Sequence, residues 1–154
     1  MHKLASLDKF DRLILKIVQR DSSISHQAIG DMVNLSASSV RRRLKRMKAD
    51  GLIQKEVALL NPNKTGVTLI TSIRIADETV DAYEQFDAFI ASDPFIKMAY
   101  HVAGEDDYVL IVHSPTLKWY EDWCKTELMS NSIVERCSTV VVWSQKKLDT
   151  AIEI

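Results

Sequence analysis

The apolar residues of this chain change their spacing once, and that change limits what it can fold into. Through the first 50 residues they recur at i, i+3, i+4 and i+7, the period of helices buried on one side. Beyond "NPNKTG" (residues 61–66) they alternate in β-branched runs separated by helical windows. The two periods present differently shaped apolar surfaces, so each half needs its own packing solution. The 154 residues are therefore read as two small domains with a connector: residues 1–54 helical, residues 55–66 a hinge strand and linker, residues 67–154 mixed α and β.

Charge divides at the same place. Residues 1–60 carry 12 Lys and Arg against 6 Asp and Glu, a net of +6, and residues 61–154 carry 8 against 15, a net of -7. The overall charge of -1 hides this polarity. A basic half can hold a polyanion, whereas an acidic half would repel one and needs another role. An apolar fraction of 46% suits a folded chain rather than a disordered one. The opening "MHKLASLDKFDR" lacks the apolar core of a secretory signal, and no apolar run reaches the roughly 20 residues of a membrane helix. Cys124 and Cys137 form no C-x-x-C or metal-type spacing. A reducing, cytoplasmic compartment is expected, with no membrane partner.

Three helices are predicted in the basic half. The first runs from about Asp8 to Gln19 and would bury Phe10, Leu13, Ile14, Ile17 and Val18. The second follows Ser25 as N-cap and would bury Ala28, Ile29, Met32 and Val33. The third starts after Ser36 and ends at Gly51, a residue that tolerates a left-handed backbone. Only "VNLS" separates the second from the third. Two short helices joined so tightly form a helix-turn-helix, whose later helix enters the DNA major groove.

On a wheel at 100° per residue, Val40, Leu44 and Met47 of the third helix face the core. Ser38, Arg42, Lys45 and Arg46 point the other way, flanked by Ser39 and Arg41. Small hydroxyls at the start of a helix allow close approach to base edges, and long cations behind them reach phosphates or guanine. Arg43 falls at the border of the core face and is read as structural, paired with an acid on the first helix. A solvated basic helix would carry acids at i±4, yet none occurs from Ser36 to Ala49. Double-stranded DNA is the expected partner, contacted by Ser36, Ser38, Ser39, Arg41, Arg42, Lys45 and Arg46, with Gln27 beside His26 at the start of the second helix, placed either for a phosphate contact or for plain solvent exposure. His2 and His26 are not read as a metal site.

The acidic half reads β-α-β-β-α-β. "VTLITSIRI" (67–75), "FIKMAYHVAG" (95–104), "DYVLIVH" (107–113) and "SIVERCSTVVVWSQ" (132–145) supply strands. "ETVDAYEQFDAFIAS" is helical with Val80, Tyr83, Phe86 and Ile90 on one side. "PTLKWYEDWCKTEL" is helical with Leu117, Tyr120, Cys124 and Leu128 on one side, and Trp119 and Trp123 beside them. That order is the ferredoxin-like split βαβ arrangement. Two helices cover one face of such a sheet, so the open face is expected to pair with a second copy. The turn "AGEDDYVL" concentrates carboxylates. Composition leaves it open as a soluble hairpin tip or as a receiver for the ammonium of a small molecule. No catalytic constellation, phosphate loop or zinc signature stands out, and no enzyme activity, cofactor or metal is expected.

Residues 7–55 resemble the N-terminal domain of the Lrp/AsnC (feast/famine) transcriptional regulators. The marks are Leu7, Asp8 and Asp11, then Ile14-Leu15, Ser36 and Val40 before the arginines, Arg43, and "GLI" after the third helix. The acidic half is similar to the family's ligand-sensing domain, whose Gly-x-x-Asp-Tyr turn stands here as Gly104, Asp107 and Tyr108, with Ser138-Thr139 on the last strand. The resemblance implies an α+β protein: a winged helix-turn-helix domain followed by a ferredoxin-like βαββαβ sensor. It implies a homodimer that assembles further, commonly to an octamer, and a small effector, usually an amino acid. The effector residues it nominates are Gly104, Asp106, Asp107 and Thr139, with Tyr100 and Ser138 nearby. Two positions depart from the pattern: Ala103 stands where threonine is common, and Cys137 where a small hydroxyl residue is common. The competing readings are an architectural DNA-binding protein without effector and, further off, a regulatory subunit of an amino-acid-metabolism enzyme.

Overall fold

A computed structural model describes residues 7–154, so His2 lies outside the described residues. The chain divides into two compact units. Residues up to Leu59 together with Lys147–Ile154 form the first, and Leu60–Lys146 form the second.

The first unit contains α1 (Lys9–Val18), α2 (His26–Val33) and α3 (Ala37–Ala49). Each starts where the sequence supplies a cap. Asp8 accepts from the Asp11 amide at 2.8 Å, and Asp11 accepts in return from the Asp8 amide at 3.2 Å. Ser25 and Ser36 accept from the amides of Ala28 and Ser39, both at 3.2 Å. α2 stops at Asn34, left-handed at φ 57°, and α3 stops before Gly51 at φ 72°. The turn between them is tight because Gly30 has no side chain: a Cβ there would stand 2.4 Å from the Leu35 carbonyl oxygen.

The core joins Ile14, Leu15, Ile29, Val33, Val40, Leu44 and Met47. The predicted face of α3 is the buried one, but those of α1 and α2 are rotated. Leu13 and Met32 are exposed, by 37% and 61%. On α1 the buried positions Asp11, Ile14 and Leu15, with partly buried Val18, keep the helical i, i+3, i+4, i+7 spacing. Counting apolar residues alone skips the carboxylate in that stripe. On α2 the inward face is centred on Gly30 and Val33.

Two further expectations give way to a different arrangement. The hinge strand at 55–60 is not formed: Val57, Leu59 and Leu60 are exposed and carry no regular structure before a 3-10 turn at Pro62–Lys64. A strand needs a neighbour for its backbone groups, and one chain supplies none here. The last eight residues also leave the second unit for the first. Ile154 packs on the helical core, and the Gln19 side chain brackets Ile152, accepting from its amide at 2.6 Å and donating to its carbonyl at 3.2 Å.

The second unit runs β1 (Val67–Ile75), α4 (Val80–Ser92), β2 (Ile96–His101), β3 (Tyr108–Ser114), α5 (Leu117–Trp123), a π-helical turn (Cys124–Met129) and β4 (Val134–Val141). The sheet is antiparallel in the order β2-β3-β1-β4, the ferredoxin-like topology expected. Alternate residues of the central strands, Leu69, Ile73, Ile75, Tyr108, Leu110 and Val112, face the helices and meet Phe86, Tyr120, Trp123 and Leu128. Both helical tryptophans belong to this packing. Trp123 is buried and donates to Asp93 at 2.8 Å, and the Trp119 ring lies 4.0 Å from that of Phe95. Val80 and Leu117, predicted to be buried, are exposed by 75% and 50%, each as the first residue of its helix. On the other face, Met98, Tyr100 and Val140 are exposed around partly buried Ile70, Val109 and Ile111.

Candidate nucleic-acid interface and effector turn

The six cations of α3 sort into two sets once α1 is in place. Arg43 donates to Asp8 at 2.6 Å and to Asp11 at 2.8 Å, as read from its position on the wheel. Its guanidinium also lies over the Phe10 ring at 5.6 Å. Arg46, predicted to face DNA, stands one turn further on and reaches Asp11 at 2.5 Å with half of its side chain exposed. Lys48 pairs with Glu56 at 2.9 Å. Asp11 is only 1% exposed. Burial raises the pKa of its carboxyl, but hydrogen bonds from Arg43, the Asp8 amide and Arg46 outweigh this and hold it below its ordinary 3.8. Asp8 is held low as well, first by the Asp11 amide and then by Arg43.

Arg41, Arg42 and Lys45 form the other set. All three are exposed, and none has an acidic partner among the described residues. They stand on the outward side of α3 behind its N-terminal serines. Ser36 caps the helix and bonds the hydroxyls of Ser38 and Ser39 at 3.0 and 2.9 Å, which gathers three small polar groups at the tip. Gln27 is exposed at the start of α2 and donates to Asp31 at 2.8 Å. The arrangement presents a helix end of low bulk followed by unpaired cations, which suits a groove edged with phosphates.

In the second unit, Gly104, Asp106 and Asp107 sit together on the β2–β3 turn, but their side chains have different occupations. Asp107 is built into the fold: one carboxylate oxygen accepts from the Ile75 amide at 2.8 Å and the other from the Tyr83 hydroxyl at 2.9 Å. That bond, with burial, pushes the Tyr83 hydroxyl above its ordinary 10.0. Glu105 and Asp106 instead hold Arg136 of β4, at 3.2 and 3.1 Å, and Arg74 donates to the Glu105 carbonyl at 3.3 Å. Arg74 also pairs with Glu135 at 3.1 Å, so two cations and three carboxylates share one corner. Sequence reasoning missed Arg136, whose only signal was its place on the last strand.

Of the other nominated residues, Ser138 neighbours that corner, two residues beyond Arg136 on the same face of β4, and Tyr100 lies on another strand. Tyr100 and Ser138 face the open side of the sheet from β2 and β4, its two opposite edges. Thr139 faces the helices, where its hydroxyl bonds Tyr120 at 2.6 Å, and Tyr120 bonds Thr71 at 2.7 Å. No group of three or more His, Cys, Asp or Glu residues that could hold a metal occurs among the described residues.

A helix-turn-helix with a free basic face, followed by a ferredoxin-like unit with a charged turn, defines a DNA-binding regulator with a separate ligand-binding domain. Residues 7–54 match the winged helix-turn-helix DNA-binding family, and residues 68–152 match the Lrp/AsnC ligand binding domain. The chain belongs to the Lrp/AsnC family of transcriptional regulators. It is 31% identical to the DNA-binding transcriptional activator DecR of Escherichia coli over 150 residues, covering 96% of this chain and 99% of the relative. An AsnC family regulator from Agrobacterium tumefaciens superposes with a TM-score of 0.86 at 31% identity, covering 95% of this chain and 96% of the other. A transcriptional regulator from Neisseria meningitidis, solved as a complex with L-methionine, superposes with a TM-score of 0.88 at 26% identity, covering 96% of both chains. The winged helix-turn-helix and the βαββαβ ligand domain read from the sequence are thus the architecture of the chain.

Proposed function

We propose that this chain binds specific duplex DNA through α3 and that a small effector, an amino acid, modulates that binding or the assembly of the protein. Arg41, Arg42 and Lys45 carry the DNA reading, because they alone among the α3 cations are left without an acid by the fold. Ser38, Ser39 and Gln27 lie where they would approach the duplex, and Ser36 positions them as cap. Arg46 contributes from the flank while bound to Asp11.

The effector reading rests on the corner of Glu105, Asp106 and Arg136. A free amino acid is a zwitterion, so it can replace both halves of an internal ion pair: its ammonium to the carboxylates, its carboxylate to the guanidinium. Asp107 would act through the shape of the turn, since its oxygens are engaged. A Neisseria relative with bound L-methionine supports an amino acid as the class. The open sheet face would close a homodimer, with larger assemblies such as an octamer built from it. As a DNA-binding regulator the chain would work at the nucleoid in the cytoplasm; no described helix is long and apolar enough to cross a membrane. The relatives are transcriptional regulators, and we assign no enzymatic role.

Two titrations test this. On a duplex selected from a random pool, Lys45→Ala should weaken binding and reduce the salt slope by about 1 if it touches phosphate. Affinity independent of salt would overturn the interface. A thermal-shift screen against the twenty amino acids should then find a stabilising ligand, by roughly 2.7 kcal/mol at 100 times its dissociation constant. Arg136→Ala should abolish that shift and leave DNA affinity in place. An absence of any shift would favour the architectural reading.

A further inference from the structure

The one pair of free thiols lies where a bond between them is a small movement. Cys124 opens the π-helical turn, and Cys137 lies on β4, facing the helices opposite Ile73 of β1. Their sulfurs are 3.9 Å apart, in van der Waals contact with no bond between them. Only 13 residues separate the two along the chain.

Three features make this corner able to close. First, β4 is an edge strand, so nothing in the sheet covers its far side, and Cys137 is only partly buried. Second, the helix leaves its regular course at Cys124. The Ser130 amide bonds the Lys125 carbonyl at 3.2 Å, an i to i+5 bond that widens the turn. Third, no charged group bonds either thiol among the described residues, and the Tyr120 hydroxyl beside Cys124 is also engaged by Thr71 and Thr139. Burial pushes the Cys124 thiol up to about 11, with Cys137 beside it adding to the effect. A raised pKa leaves Cys124 little thiolate with which to open a disulfide by itself.

We propose that Cys124 and Cys137 form a reversible dithiol–disulfide pair, oxidised by low-molecular-weight disulfides. The Cys137 thiolate attacks one sulfur of the small disulfide and expels the other half as a thiolate, leaving a mixed disulfide on Cys137. The Cys124 thiol gives up its proton and attacks the Cys137 sulfur, which expels the second small thiolate. Two protein thiols and one small disulfide become one protein disulfide and two small thiols, with both protons passing to the leaving thiolates. Closure shortens the sulfur separation from 3.9 Å to about 2 Å and draws the edge strand toward the wide turn. That strand also carries Arg136 and Thr139, so the bond would lock the element that holds the acidic corner. In a reducing cytoplasm such bonds are transient and regulatory rather than structural.

The full chain, purified with its thiols reduced, is incubated with oxidised glutathione at increasing ratio to reduced glutathione and mapped as peptides without reduction. The expected product is a cross-link between the peptides of Cys124 and Cys137, with a chain mass about 2 Da lower, reversed by excess reduced glutathione. A chain that keeps both thiols, carries only glutathione adducts or links to a second chain would overturn the proposal. In Cys124→Ser, Cys137 should retain one glutathione, because no second thiol resolves it; an unmodified chain would overturn the order of attack. The readout is covalent, so it stands or falls separately from the effector assignment.

Discussion

Asp11 shows how one carboxylate sets the chemistry of a whole face. It is buried, it completes the cap of α1, and it takes up Arg43 and part of Arg46. Removing its charge leaves two guanidinium groups short of a partner, one of them largely buried. Asp11→Asn should lower the stability of the first unit by about 2–3 kcal/mol. All three tryptophans and all four tyrosines lie beyond residue 60, so tryptophan fluorescence follows the second unit, and an ellipticity change without a matching fluorescence change reports on the first. The same residue predicts a pH dependence. Asp8 and Asp11 titrate below 3.8 in the folded chain, so their contribution is complete above that value and is lost as the pH falls through their folded pKa values. Helix ellipticity should therefore lose thermal stability steeply below about pH 4, and Asp11→Asn should flatten that acid limb.

At the scale of elements, the reading head depends on the contact between α2 and α3. Gly30 permits it: the Leu35 amide donates to the Gly30 carbonyl at 2.9 Å, and the Leu35 carbonyl occupies the space of a Gly30 side chain. Gly30→Ala forces one backbone off the other, at about 1–3 kcal/mol or more. DNA affinity measured by fluorescence anisotropy should fall with it even where the helices persist, because the angle between them changes. These elements were largely legible in the sequence. Ser25, Ser36 and Gly51 mark helix ends through bonds to atoms two or three residues away, so local order suffices to find them. The buried sides of α1 and α2 were not, since Asp11 and Gly30 turn inward for reasons that lie on another helix. The π-helical turn was equally invisible, because it depends on how Leu128 and Cys124 reach the sheet rather than on any local pattern.

For the whole molecule, the open sheet face is the surface on which the proposed homodimer would close. Met98, Tyr100 and Val140 stand exposed on it by 49%, 54% and 58%. Contiguous apolar surface of this kind is seldom left to water. A dimer closed through that face should dissociate in Val140→Lys, with molar mass by light scattering falling toward that of one 17.5 kDa chain while helix content is retained. A variant that stays dimeric would place the interface elsewhere.

By itself, the order of residues determined two domains, their element order, the capped basic helix and the family to which both halves belong. The first three follow from periodicity, caps and charge, which act over a few residues, and the family follows from the resemblance of both halves to known regulators. Only the tertiary structure decided which cations stay free on α3 and which Asp8 and Asp11 consume. It alone decided that Asp107 is spent on Ile75 and Tyr83 while Arg136 faces the acidic corner. It also brought Cys124 against Cys137 and carried the last eight residues back to α1. Each of these is a pairing between residues far apart in the chain, and a pairing exists only once packing has put both partners within a few ångströms.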